Sequence, residues 1–108
     1  MASITANPSL TIINEIDRTV HEPARLMILA VLQAVHSADF TFLLAQTRLT
    51  RGNLSSHLSK LEKAGYVEIQ KGFIDRIPHT QLSLTPEGRE AYHRYRRQLR
   101  QVVALLGE

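Results

Sequence analysis

The chain has 108 residues, 44% of them hydrophobic and 21% charged, with a formal net charge of +3, which fits one globular domain. It contains no cysteine, which excludes disulfides, thiolate metal sites and thiol redox sensing and fits a reducing compartment. No apolar run approaches the roughly 20 residues of a membrane span, and the N-terminus lacks a basic-then-apolar leader, so a soluble cytoplasmic protein is expected.

The charge is unevenly spread. Residues 48–100 hold 11 of the 13 Lys and Arg against 5 of the 10 acids, whereas residues 1–47 hold 2 basic and 4 acidic residues. A basic C-terminal half favours a polyanionic partner through phosphate neutralisation and counterion release. The competing explanation is that arginine-rich helices are often merely well solvated.

In chain order, residues 1–8 read as an arm. Ser9 then caps a first helix over 9–20, apolar at Leu10, Ile13, Ile16 and Val20. Pro23 ends that helix or starts the next, predicted over 22–35 with a buried stripe of Leu26, Ile28, Leu29 and Leu32. Arg25 sits one turn in, where it could anchor a phosphate or pair with Glu22 or Asp17, the structural pairing being the favoured reading. Residues 37–40 form a turn with room for a short strand against a later hairpin. Thr41 is the expected N-cap of a short helix over 42–47.

Residues 49–66, LTRGNLSSHLSKLEKAGY, are the most informative stretch. Thr50 caps a helix over 50–64. Leu54, Leu58 and Leu61 recur at i, i+4, i+7 on one side, and Gly52, Ser56, Ser59, Lys60 and Lys63 fall on the other. A solvated helix face is usually dense in long charged side chains. This one is shallow and hydrogen-bonding, suited to close approach to another surface. In a DNA major groove, Arg51 could grip guanine and Asn53 adenine, with Ser55, Ser56 and Ser59 at base edges. Lys60, Lys63 and Lys71 would meet phosphates, although each could equally be a solvated charge, and Asn53 could be only a turn residue. His57 lies between the faces and reads as a flank or phosphate contact, not a metal ligand.

Ala64-Gly65 stops the helix, with glycine free to take positive φ. Residues 66–73 alternate, with Val67, Ile69 and Phe73 on the half-buried side of a strand. Residues 74–79, IDRIPH, read as an exposed loop carrying Arg76, followed by a second strand over 80–84. Together 67–84 form a hairpin, with His79 and Thr80 assisting from the returning strand. Thr85-Pro86 opens the last helix, with Thr85 as N-cap and Glu87 near the positive dipole end. It runs over 86–106. Tyr92, Tyr95, Leu99, Val102 and Leu106 are spaced 3, 4, 3, 4 in a heptad-type seam. Arg94, Arg96, Arg97 and Arg100 form its solvated rim.

The run from Leu49 through the hairpin, with Arg76-Ile77-Pro78-His79-Thr80 and then Leu84-Thr85-Pro86-Glu87-Gly88, resembles small winged helix-turn-helix transcriptional regulators of bacteria and archaea near the MarR and ArsR groups. The resemblance spans about residues 17–99. It departs from the pattern at Ile77, where a second basic residue would stand beside the wing Arg. It implies a mainly α fold with a small β-hairpin wing (α+β), and a dimer that binds a specific double-stranded DNA sequence.

The resulting expectation is one winged-helix domain over 1–108, with a core at 22–84 and dimerisation helices at 9–20 and 86–106. The expected function is that of a homodimeric, nucleoid-associated repressor reading a pseudo-palindromic site. The predicted DNA contacts are Thr50, Arg51, Asn53, Ser55, Ser56, Ser59, Lys60, Lys63, Lys71, Arg76, His79 and Thr80. The predicted dimer contacts are Leu10, Ile13, Ile16, Tyr95, Leu99, Val102, Val103 and Leu106. The alternatives are a winged helix that docks protein through its serine-rich face, or one that binds RNA. No cofactor is implied, and an unidentified small-molecule effector is compatible. The five histidines show no i, i+4 pair, so no metal site is expected. No phosphate-binding glycine loop, activated nucleophile or apolar carboxylate pair points to an enzyme.

Overall fold

Each α-helix of the computed structural model begins on a side-chain cap. The structure describes residues 8–107, without the side chains of Pro8 and Ser9; the expected arm over 1–8, apart from the Pro8 backbone, and the Ser9 cap lie outside that description. Helix α1 (Pro23–Val35) starts where the Glu22 carboxylate accepts from the N–H of Ala24 at 2.6 Å and of Arg25 at 3.3 Å, with Pro23 in the first turn. A short strand, β1 (Ser37–Asp39), leads into α2 (Phe40–Thr47). The cap of α2 is Asp39, not Thr41 as expected, because the Asp39 carboxylate reaches the Phe42 N–H at 2.7 Å and starts the helix two residues earlier. Thr50 caps α3 (Arg51–Lys63) by accepting from Asn53 N–H at 3.1 Å. Thr85 caps α4 (Pro86–Leu106) by accepting from Gly88 N–H at 2.9 Å.

The end of α3 is a Schellman closure. Tyr66 N–H donates to Leu61 O and Gly65 N–H to Glu62 O, both at 2.9 Å, with Gly65 at φ 81°. The chain then enters β2 (Val67–Ile74), which pairs antiparallel with β3 (Ile77–Leu84). The sheet order is β1-β3-β2, and β1 pairs with β3 from Ser37↔Ser83 to Asp39↔Gln81.

The wing differs from the expected loop. Pairing continues to Ile74↔Ile77, leaving only Asp75 and Arg76 to turn, at φ 50° and 67°. Two consecutive left-handed residues make a type I′-like turn, whose twist matches that of the strands it joins. Pro78 is tolerated because β1 reaches β3 only at Gln81–Ser83, so at Pro78 the strand is an edge. Phe73, expected on a half-buried side, is 75% exposed because the hairpin projects past the core.

The core is one cluster in which Ile28, Leu29 and Leu32 of α1 meet Leu54, Leu58 and Leu61 of α3, Leu82 of β3 and Ala91 and Tyr95 of α4. Leu26 is only partly buried at its edge. The expected N-terminal α-helix is instead a 3-10 helix, Pro8–Glu15. Residues 16–22 then turn back, and Ile16 and Val20 enter the core. Asp17 organises that turn, accepting from Thr19 N–H at 2.9 Å, from Val20 N–H at 3.4 Å and from the Tyr66 hydroxyl. His21 Nδ1 lies 2.8 Å from the Tyr95 hydroxyl and ties the same segment to α4. No helix among the described residues is long and apolar enough to cross a membrane.

Candidate nucleic-acid interface

Helix α3 buries Leu54, Leu58 and Leu61 and exposes the rest of its length, His57 excepted. Arg51, Gly52, Asn53, Ser55, Ser56, Ser59, Lys60 and Lys63 are all exposed. A 3.6-residue repeat sets Gly52, Ser56, Ser59 and Lys63 along the crest opposite the leucines. Arg51 and Ser55 fall on one shoulder, Asn53 and Lys60 on the other. A Cβ built on Gly52 meets nothing within 4 Å, so nothing in the protomer covers that part of the crest. Thr50 stands just outside, its hydroxyl committed to the cap.

The shoulder carrying Arg51 and Ser55 faces the sheet across a groove of about 670 Å³. Ser59, Lys71 and Thr80 line the same groove. The strand register explains this: Lys71 pairs with Thr80 and Ile69 with Leu82, on the face that packs towards α3. His79 pairs with Gly72 one residue away and so points to the opposite face, where its Nε2 lies 3.0 Å from Gln81 Oε1. The structure therefore places His79 on the opposite face of the sheet from Thr80, with which the sequence grouped it on the returning strand. Arg76 occupies the wing tip, exposed and without an ion pair among the described residues.

Arg51 has a partner that the sequence reading missed. Its guanidinium lies over the Phe40 ring, 5.7 Å from the centroid, a cation–π placement that orients the side chain while leaving it solvated. No local sequence signal links Phe40 and Arg51, which meet only when α2 braces α3.

On the other shoulder, His57 is half-buried against α1. Its Nδ1 is 3.3 Å from Glu22 Oε2 and 3.1 Å from Arg25 Nη1. Arg25 also pairs with Glu22 at 3.6 Å and donates from Nε to Thr19 O at 2.6 Å. Burial pushes the Glu22 carboxyl up, but the Ala24 and Arg25 N–H groups and the neighbouring His57 and Arg25 charges outweigh it and hold the carboxyl below its ordinary range. This cluster fixes α3 to α1 and leaves His57 structural. Among the described residues no group of three or more His, Cys, Asp or Glu could hold a metal.

The residues expected at a dimer contact divide in two. Ile16, Tyr95 and Val102 are buried by their own protomer, at 7%, 3% and 7% exposure; α4 lies against α1 and the 3-10 helix and covers them. That is a correction to the single seam read from the sequence. Leu99 is half-buried, while Leu10, Ile13, Val103 and Leu106 remain exposed. Leu105, absent from the expected set, is exposed beside them.

A family model described as a winged helix DNA-binding domain matches residues 24–103. An uncharacterised protein of Methanocaldococcus jannaschii is 39% identical over 71 residues, covering 66% of this chain and 77% of that protein. A transcriptional regulator homologue from Pyrococcus horikoshii OT3 is 32% identical with a TM-score of 0.83, over 90% of this chain and 98% of its own. The transcriptional repressor CouR, solved on a 23-mer DNA duplex, shares the fold at 24% identity and a TM-score of 0.68, over 85% and 62% of the two chains. A MarR-family transcriptional regulator from Silicibacter pomeroyi shares it too, at 23% identity and a TM-score of 0.63, over 87% and 62% of the two chains.

Proposed function

The chain belongs to the winged helix DNA-binding domain family, and from that membership we propose that it is a homodimeric, sequence-specific regulator that represses by occupying a pseudo-palindromic operator. The observation that carries the reading is the uncovered crest of α3, small and hydrogen-bonding from Gly52 to Lys63. A rod of α-helical diameter with a shallow polar face fits a major groove about 12 Å wide. Asn53, Ser55, Ser56 and Ser59 read base edges, Arg51 reads from the shoulder where Phe40 holds it, and Lys63, Lys71 and Arg76 meet phosphates.

A second copy docks on the apolar end of α4. Val103, Leu105 and Leu106 expose large side chains there, and Leu10 and Ile13 of the 3-10 helix do the same. Two-fold symmetry then sets two reading helices about 34–36 Å apart. Anything that changes that spacing changes affinity, which is where a small-molecule effector would act.

One feature favours the protein-docking alternative. The wing tip exposes Phe73, Ile74 and Ile77 at 75%, 55% and 67%, more apolar surface than a phosphate contact needs. Selection of bound sequences from a random duplex pool by the purified protein separates the two. A two-fold consensus with half-sites one turn apart supports the regulator. No enrichment, with binding insensitive to salt, would leave protein docking as the function.

A further inference from the structure

The shoulder of α3 away from the wing borders a second groove, of about 430 Å³, lined by Arg18, Thr19, Arg25, Lys60, Lys63 and Ala64. Four of these six residues are cations and none is an acid. We propose that this groove is a phosphate clamp, in which Arg18, Lys60 and Lys63 close on a backbone phosphodiester of the DNA strand that the wing does not reach. The proposal rests on the DNA-binding reading above and adds to it a residue, Arg18, far from α3 in sequence.

The four cations have different roles. The Arg25 guanidinium is already used: Nε donates to Thr19 O at 2.6 Å, Nη2 to Arg18 O at 3.3 Å, and Nη1 faces Glu22 and His57. It acts as a strut that holds the backbone of residues 18–19 against α3 and so sets where the Arg18 side chain begins. Arg18, Lys60 and Lys63 are exposed, and the ion pairs among the described residues, Glu22–Arg25, Glu22–His57 and Glu90–Arg97, include none of them. Three unpaired cations around one concavity repel each other, and an anion there relieves the repulsion.

Placement on the helix identifies the anion. A helix in the major groove has a sugar–phosphate backbone on each side. Lys71 and Thr80 line the wing-side groove, which Ser55 borders. Lys60 lies on the opposite shoulder with Arg18 beside it, where the second backbone must pass. A free oxyanion offers the same chemistry, and the experiment distinguishes the two.

Duplex affinity is measured against salt for the wild type, Arg18→Ala, Arg18→Lys and Lys60→Ala. Losing one phosphate contact lowers the slope of log K against log salt by about 0.9. In the proposed dimer each substitution removes one contact per protomer, so Arg18→Ala and Lys60→Ala are each expected to lower the slope by about 1.8, and between 50 and 200 mM salt their affinity falls about twelvefold less than that of the wild type. Arg18→Lys restores the slope. Base preference in pool selection stays unchanged, and so do the melting temperatures. Wild-type binding with an unaltered slope in Arg18→Ala, or an altered base preference, overturns the clamp and leaves the DNA-binding reading intact. So does saturable binding of inorganic phosphate that depends on Arg18 while the DNA slope stays unaltered, because the groove then serves a free oxyanion. Failure of the wild type to bind any duplex overturns the DNA-binding reading itself, and the clamp with it.

Discussion

Gly52 stands on the outward crest of α3, in the first turn of a helix that an alanine would favour. An added Cβ meets nothing in the protomer, so Gly52→Ala should raise stability, by up to about 1 kcal/mol. On the DNA-binding reading the same methyl lies in the groove and weakens operator binding. Melting and affinity should therefore move in opposite directions, and a stabilised variant with full affinity would show that the crest does not enter DNA. Glu22 gives a second test at this scale. Its folded carboxyl is held below the ordinary 4.5, so its contribution to stability is complete above that value and lost as pH falls through the lower, folded one. Wild type and Glu22→Gln should differ in melting temperature at neutral pH, and the gap should close below about pH 4.5. A gap that persists in acid would remove Glu22 ionisation from the account. Sequence alone showed Glu22 near Arg25. It could not show His57 as the third member, because that contact spans 32 residues.

At the scale of elements, the tightest constraint is where α4 begins. A Cβ on Gly88 would stand 2.0 Å from Tyr66 O and 2.7 Å from Tyr66 C. Both are backbone atoms that no rotamer change can move. Thr85 binds to the same place, with its N–H to Tyr66 O at 3.1 Å and its hydroxyl to Gly65 O at 2.5 Å. Gly88→Ala is therefore expected to cost at least about 1–3 kcal/mol, read by chemical denaturation, and a neutral result would mean that α4 shifts easily on the sheet. The wing stores its own strain. Arg76 occupies a left-handed φ of 67°, which costs a non-glycine residue roughly 1–2 kcal/mol. Arg76→Gly should stabilise the hairpin while reducing DNA affinity and, with one wing per protomer of the proposed dimer, lowering the salt slope by about 2. Equal affinity would place the wing tip away from phosphate. From sequence this hairpin read as two short strands and a six-residue loop, because Asp75-Arg76 lacks the glycine that usually marks a two-residue turn.

At the scale of the whole molecule, the dimer proposed above raises the question of how its two reading heads would be joined. The sequence presented α4 as one seam from Tyr92 to Leu106. The protomer uses Tyr95 and Val102 for its own core and leaves Val103 and Leu106 outside, at 59% and 67% exposure. Truncation would remove Val102 from the core as well, so substitution is the cleaner test. Val103→Glu with Leu106→Glu should yield a folded monomer by sedimentation, with melting little changed and affinity for a two-half-site operator falling to that of a single half-site. A double variant that still sediments as a dimer would move the interface to Leu10 and Ile13.

What the amino-acid order determined by itself was local. The leucine stripe of α3, its Thr50 cap, the Gly65 stop and the Thr85-Pro86 start each depend on neighbours within a turn or two, where helical period and capping geometry act without reference to the rest of the chain. The shallow polar crest was legible for the same reason, since a 3.6-residue repeat assigns it opposite the leucines. The tertiary structure decided everything that depends on contact between segments distant in sequence. It placed Phe40 beneath Arg51, turned His79 away from the groove that holds Thr80, drew Ile16, Tyr95 and Val102 inward, and brought Arg18 to Lys60. Those outcomes follow from which surfaces the packed core covers, and burial is a property of the assembled chain that no local window of sequence contains.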